Sequence, residues 1–308
     1  MNKNSKILVT GSGGMVGSSV VRMLNNLGYT NLLTPRKLEL DLRDTLAVKT
    51  YFEKYNPEYV FLIAAKVGGI HANMTYRADF IFDNLMMQSN VINSCKESNV
   101  KKILFVSSGC VYPKHAQNPI DEQSMLTGLL EPSNEHYSIA KIAGIKMCEA
   151  YQLQYGLDYV VVIPNNIYGP GDNYHPENSH VMAALIRKFN QAIKNNTNVE
   201  IWGTGNQMRE FVYVDDVASA CIHLMNNDCT GAFNCSSEVE ITIKDLANLI
   251  AETLGFNGKI NYNIDKPEGH LRKGFTCEKL RSTGWQHNIN LEDGIKLSYN
   301  WYKETINE

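Results

Sequence analysis

Four short runs, KILVT (6–10), YVFLIAA (59–65), KILFVSS (102–108) and YVVVIP (159–164), are apolar almost without a break. A strand with one wet face alternates apolar and polar residues. A run that does not alternate has to be covered on both faces, as in a parallel sheet. Between the runs, residues 15–27, 46–54, 75–97 and 136–155 repeat their apolar positions with helical spacing. Strand and helix in alternation predict an α/β fold, a Rossmann-type doubly wound parallel sheet.

The pattern changes after Tyr168. GPGDNYHPENSH (169–180) is rich in Gly, Pro, Asn and His and reads as irregular chain. A helix over 181–195 and a strand at VEIWG (199–203) follow. A helix near 216–225 and the strand AFNCSS (232–237) read as one more α/β unit of the first domain. The expected division is a dinucleotide-binding domain over 1–167, completed by about 213–237. A smaller α/β substrate domain would take 168–212 and 238–308.

Composition narrows the function. The net charge of −3 over 308 residues gives no global basic field for nucleic acid. No apolar run approaches the ~20 residues of a membrane helix, and the N-terminus enters a strand with no signal-peptide core. The seven cysteines are scattered without metal-ligand spacing. Reduced thiols in a cytoplasmic protein, with no metal and no membrane or nucleic-acid partner, are expected.

TGSGGMVG (10–17) joins the first strand to the first helix. Gly11, Gly14 and Gly17 at that junction permit a tight turn and a close backbone approach to a pyrophosphate at the helix N-terminus. An NAD site wants an acid at the end of the second strand. NLLTPRKLEL (31–40) offers Arg36 and Lys37 there instead. Two cations suit a 2′-phosphate, so NADP(H) is the expected cofactor. Asp41, a little further on, is a further cofactor candidate.

NEHYSIAKIAG (134–144) sets Tyr137 four residues before Lys141, which puts both on one helix face. A phenol titrates near ~10 and an ammonium near ~10.4. A cation within ~5 Å favours the phenolate, and moving the phenol to about 7 takes roughly 4 kcal/mol. Lys141 is therefore expected to lower the Tyr137 pKa. Ile139, Ile142, Ala143, Met147 and Ala150 form an apolar stripe opposite, while Gly144 and Cys148 leave room against the tyrosine face. Ser107 and Ser108 end a strand at the crevice mouth, where parallel sheets bind ligands.

These stretches, with AAKVGGIHANMTYRADFIFDN, CVYPK, LEPSNEHYSIAKIAGIKMCEAY, GPGDNYHPENSHV, WGTGNQMREFVYVDD and KPEGHLRK, span nearly the whole chain. On them the sequence resembles the extended short-chain dehydrogenase/reductases, and within them the GDP-L-fucose synthase family of GDP-4-keto-6-deoxymannose 3,5-epimerase/4-reductases. The resemblance implies a reductase triad of Ser108, Tyr137 and Lys141. Tyr137 would protonate the C4 oxygen, Lys141 hold the nicotinamide ribose and Ser108 bond the ketone.

Epimerisation needs a base and an acid that titrate near neutrality, because C3 and C5 flank the ketone and lose protons through an enolate. The resemblance implies Cys110 as base and His180 as acid, with His180 also at the cofactor. Ser108 and Cys110 share a face if their segment is extended. For the GDP-sugar, the resemblance implies Asn165, Lys188, Trp202 and Arg209. Arg209 is the best diphosphate candidate, and Trp202 suits a stacked guanine. Arg187, Arg272 and Lys273 read as surface charge by default, and His71 and Asn73 as crevice lining.

The chain departs from the family at Ser12-Gly13, where an arginine is frequent, and near Thr276, where an acid is frequent. A sibling enzyme acting on a GDP-4-keto-3,6-dideoxy sugar, of the colitose type, would keep the same residues. A 4,6-dehydratase would want an Asp-Glu pair where Gly109-Cys110 stands. A non-enzymatic NADP-binding regulator would leave the four reactive side chains without a use. The family also implies a homodimer, through residues 80–91 and 139–150.

Overall fold

The computed structural model describes residues 1–176, 179–265 and 271–306. Parts of two motifs, residues 177–178 and 266–270, lie outside them. In chain order the first half contains β1 (Ile7–Thr10), α1 (Met15–Asn26), β2 (Leu32–Leu33), α2 (Thr45–Tyr55), β3 (Tyr59–Leu62), α3 (Ile70–Thr75), α4 (Arg77–Glu97), β4 (Lys102–Val106) and α5 (Glu135–Tyr155). The second half contains β5 (Asp158–Pro164), β6 (Asn166–Tyr168), α6 (Val181–Asn195), β7 (Val199–Trp202), β8 (Met208–Tyr213), α7 (Val214–Asn226) and β9 (Gly231–Cys235). It ends with β10 (Glu240–Thr242), α8 (Ile243–Leu254), β11 (Ile260–Asn263), α9 (Glu278–Arg281) and α10 (Leu291–Thr305).

The main sheet is parallel with order β2-β1-β3-β4-β5-β9. Its apolar runs are buried on both faces, and successive residues go to opposite cores. Ile7, Val9, Phe61, Leu104 and Val160 join the core that reaches α1, α7, α6 and α8. Leu8, Val60, Ile103, Phe105 and Val161 join the core under α2, α4 and α5. Each such buried aliphatic or aromatic side chain contributes about 1.5–3 kcal/mol. Both cores depend on the same strands, so the sheet plane, and with it the mouth of the crevice, is rigidly set.

β1 has β2 on one side and β3 on the other, so the strand order reverses there. In open α/β sheets ligands bind beyond the carboxyl ends at such a reversal. Past the carboxyl end of β5 the chain enters a second layer. It consists of the sheet β10-β8-β6, with β6 parallel and β10 antiparallel to β8, and the parallel pair β11-β7. One segment from near the C-terminus returns to the first half, where Phe275 bridges Ile120 in parallel register.

The helix expected over 75–97 is α4, and a short helix the sequence pattern did not show, α3, precedes it. Tyr76 leaves helical geometry (φ −111°, ψ 41°), and Arg77 Nε donates to the Met74 carbonyl at 3.1 Å, satisfying a group at the end of α3. The Asn73 amide donates to the Gly68 and Gly69 carbonyls at 2.7 and 3.1 Å, which ties the glycine pair to α3. α5 ends where Gly156 takes the left-handed conformation (φ 73°).

Candidate active site

The glycine loop is built by close approach. A side chain at Gly11, where φ is 71°, would lie 2.8 Å from the Ala64 backbone, and one at Gly17 would lie 2.1 Å from the Gly11 carbonyl. Gly14 differs: its nearest neighbour would be 3.5 Å away. It is the N-cap residue of α1, and a bare backbone there suits a pyrophosphate on the helix N-terminus. The Arg36 guanidinium lies over this loop, in the space a side chain at Gly13 would need. A cation from the end of β2 thus stands where the family frequently carries one on the loop itself. Asp41 is otherwise engaged. Arg43 binds it at 2.6 Å, reaches Asp83 at 3.2 Å, and pulls its carboxyl down to about 2.

At the end of β4 the extended segment expected over 108–110 is a 3-10 turn, Gly109–Val111. The Ser108 hydroxyl caps it, accepting from the Cys110 amide at 3.4 Å. Cys110 therefore reaches the crevice through the turn rather than along a pleat. A side chain at Gly109 would lie 2.6 Å from the Phe275 ring, so only glycine fits there with Phe275 in place.

α5 presents Tyr137 and Lys141 to the same place, but its buried face is not the expected stripe. Ser138, Lys141, Ile142, Ile145 and Cys148 are buried, while Ile139 is 42% exposed. Phe105 and Gln88 fill the space against Gly144. Phe80 packs edge-on to the Tyr137 ring at 6.2 Å.

The expected lowering of the Tyr137 pKa is not found. Burial pushes the phenol well above its ordinary value, a nearby Cys110 thiolate would push it further, and a hydrogen bond with Ser108 opposes them. The Lys141 ammonium is 5.9 Å from the ring centroid and donates to the Val106 carbonyl at 2.8 Å. Its own pKa is pushed down to about 8 by burial. Tyr137 is accordingly a firmly protonated phenol, which is the form a proton donor needs. The alkoxide formed by reducing a ketone is a far stronger base than phenolate, so transfer from such a phenol is downhill.

Ser108, Cys110, Tyr137 and Lys141 converge: the Ser108 hydroxyl meets both the Tyr137 phenol and the Cys110 amide, and Tyr137 and Lys141 both lie near enough to Cys110 to respond to a charge there. His180 does not join them by direct contact. It is the N-cap residue of α6, its surface is exposed, and its pKa is lowered by burial alone. Open surface together with dense surroundings is the signature of a concave wall. Lys188 donates to the Glu200 carbonyl at 2.8 Å and lies 5.6 Å from the Trp202 ring. Trp202 is 56% exposed. Asn165 is committed to the protein, donating to Glu210 at 2.9 Å and to the Lys273 carbonyl at 3.1 Å.

Sequence reasoning missed Asp172 and Glu210, and it left Lys273 as surface charge. Lys273 faces Cys110 and Arg209 and is pushed down mainly by burial. Asp172 has one buried oxygen without a partner and a pKa raised by burial to about 7; its neighbour Gly171 lies beside Met15 at the start of α1. Glu210 is buried among neutral donors. Only Lys273 carried a visible signal, its place beside Gly274 and Phe275 in a strand-like run.

A doubly wound sheet that presents a glycine loop and a tyrosine–lysine helix to one crevice defines a dinucleotide-dependent short-chain dehydrogenase/reductase. The chain belongs to the NAD dependent epimerase/dehydratase family, whose model matches residues 7–236. It is 51% identical to a putative GDP-L-fucose synthase 2 of Arabidopsis thaliana, over 99% of this chain and 94% of that one. It is 35% identical to a GDP-L-colitose synthase of Yersinia pseudotuberculosis, over 96% and 97% of the two chains. The crystal structure of a GDP-L-fucose synthetase from Naegleria fowleri bound to NADP superposes with a TM-score of 0.91 at 31% identity, covering 99% and 94%. No helix among the described residues is long and apolar enough to cross a membrane.

Proposed function

We propose that this protein converts GDP-4-keto-6-deoxy-D-mannose to GDP-L-fucose by 3,5-epimerisation and NADPH-dependent reduction at C4. The observation that carries the reading is the meeting of Cys110 with Tyr137 and Lys141 at the end of β4. A reductase alone needs no thiol there. Cys110 takes protons from C3 and C5 while the C4 ketone, bonded by Ser108, accepts the enolate charge. His180, on the opposite wall, returns protons to the other face. Tyr137 then protonates the C4 oxygen. NADPH, when bound, supplies the hydride for C4. Gly11, Gly14 and Gly17 would hold its pyrophosphate, Arg36 its 2′-phosphate and Lys141 its nicotinamide ribose. Arg209 and Lys188 suit the substrate diphosphate, and Trp202 the guanine.

The test is oxidation of NADPH with GDP-4-keto-6-deoxymannose against its 3-deoxy analogue, with products read by NMR. Turnover of the first to GDP-L-fucose is expected; preference for the second would favour the colitose-type reading. The greater similarity to a fucose synthase supports the first. For the cofactor, Arg36→Ala is expected to weaken NADPH binding by about tenfold or more, since a lost charged hydrogen bond costs ~1.5–3 kcal/mol. NADH binding, titrated by fluorescence, should be unchanged; equal losses for both would remove Arg36 from the 2′-phosphate.

The same reading includes the division into domains at 167/168 with a return over 213–237. It includes a homodimer through α4 and α5, supported by the exposed Phe82 and Ile139; a monomeric mass by light scattering would refute it. It also places the protein in the cytoplasm, in keeping with seven unbridged cysteines.

A further inference from the structure

Glu210 is 2% exposed, yet among the described residues it is hydrogen-bonded only by neutral donors. Ser236 Oγ donates at 2.6 Å, Asn165 Nδ2 at 2.9 Å, and the Phe275 amide lies 3.1 Å from both oxygens. Burial raises the Glu210 pKa, the Glu240 carboxylate adds to the rise, and the nearby Arg272, itself bound to Glu240, makes no hydrogen bond to Glu210 among those described. A glutamine in its place would turn an NH2 toward one of these donors. The position calls for acceptors on both sides, which only a carboxylate has.

The three donors lead to the thiol. Phe275 occupies the space beside Gly109, the first residue of the turn that carries Cys110. On its other edge the same segment is held by residues 118–120. Gly274 N donates to Asn118 Oδ1 at 2.7 Å, Ile120 N to the Gly274 carbonyl at 2.8 Å, and Thr276 N to the Ile120 carbonyl at 3.0 Å. Asn165, itself held by Glu210, bonds the carbonyl of Lys273, whose charge faces Cys110. Tyr137 and Lys141 have separate anchors, Phe80 and the Val106 carbonyl.

We infer that Glu210 is a positioning residue for the proton-abstraction half of the chemistry: it fixes the 273–276 segment that sets the Cys110 turn and brings Lys273 to the thiol, while Tyr137 and Lys141 of the reducing half are anchored elsewhere and Ser108 is the one residue the two halves share. The inference rests on the epimerase/reductase reading given above.

The test is Glu210→Gln in the full chain, with two rates measured separately. Deuterium wash-in at C3 and C5 of GDP-4-keto-6-deoxymannose, without NADPH, reads proton abstraction. Single-turnover hydride transfer from saturating GDP-L-fucose to NADP+ reads the reducing half and needs no epimerisation. Wash-in is expected to fall on the order of 100-fold, the cost of a small misplacement at a reacting centre, with hydride transfer within about threefold of wild type. Phe275→Leu, which keeps the backbone donor but takes the ring from Gly109, should show the same split and serves if Glu210→Gln does not fold. Unchanged wash-in, or equal loss of both rates, overturns the inference alone. A wild-type protein that transfers hydride but shows no wash-in overturns the functional reading, and the inference with it.

Discussion

Tyr137→Phe is expected to slow reduction at C4 by about 10³-fold, within the range for loss of a positioned general acid, while deuterium wash-in at C3 and C5 continues. The ring stays packed against Phe80, so the change removes one hydroxyl and little else. A variant that reduced the ketone at the wild-type rate would show that another group supplies the proton. The pH profile gives an independent check. Lys141, pushed down to about 8 by burial, is a cation below that pH and neutral above it. If the ammonium holds the cofactor ribose, the reduction rate falls as pH rises through about 8, and Lys141→Arg moves the fall to higher pH. Folding responds in the opposite sense. Between about 8 in the folded protein and ~10.4 in the unfolded chain, only the unfolded chain keeps the proton, so the Lys141 contribution to stability rises with pH. Activity falling while stability rises separates loss of the ammonium from alkaline unfolding.

The sheet was legible because burial on both faces suppresses alternation, and the runs at 6–10, 59–65, 102–108 and 159–164 became β1, β3, β4 and β5. The helix expected over 181–195 matches α6 end to end, since one strongly amphipathic face and the Asn196 left-handed cap mark its limits. The glycine spacing was legible for the same local reason. Other features depend on distant partners and leave no local mark. The short α3 ahead of Tyr76 has six residues, too few to show a helical period. The Tyr137 pKa is decided by what covers the ring, which i, i+4 spacing does not reveal. Arg36 meets Gly13 across more than twenty positions, and Glu210 meets Phe275 across 65. Glycine at 109 is explained only by the ring from residue 275.

Cys110→Ser separates the two halves of the chemistry from the other side. A serine hydroxyl fits where the thiol stood but is a very weak base near neutrality, whereas a free thiol titrates near ~8.5. Wash-in at C3 and C5 is expected to fall by about 10³-fold. NADPH binding and single-turnover hydride transfer from GDP-L-fucose should persist, because Ser108, Tyr137 and Lys141 are untouched. Lys141 and Lys273 both lie near enough to Cys110 to respond to a charge there. Each is pushed down by burial, and each regains protonation when the sulfur is charged. Burial is the main cause that raises the Tyr137 pKa, and a charge on the sulfur would raise it further, so while Cys110 acts as the base the phenol keeps its proton for the later step. If Cys110→Ser leaves wash-in at the wild-type rate, or abolishes hydride transfer as completely as wash-in, that separation does not exist.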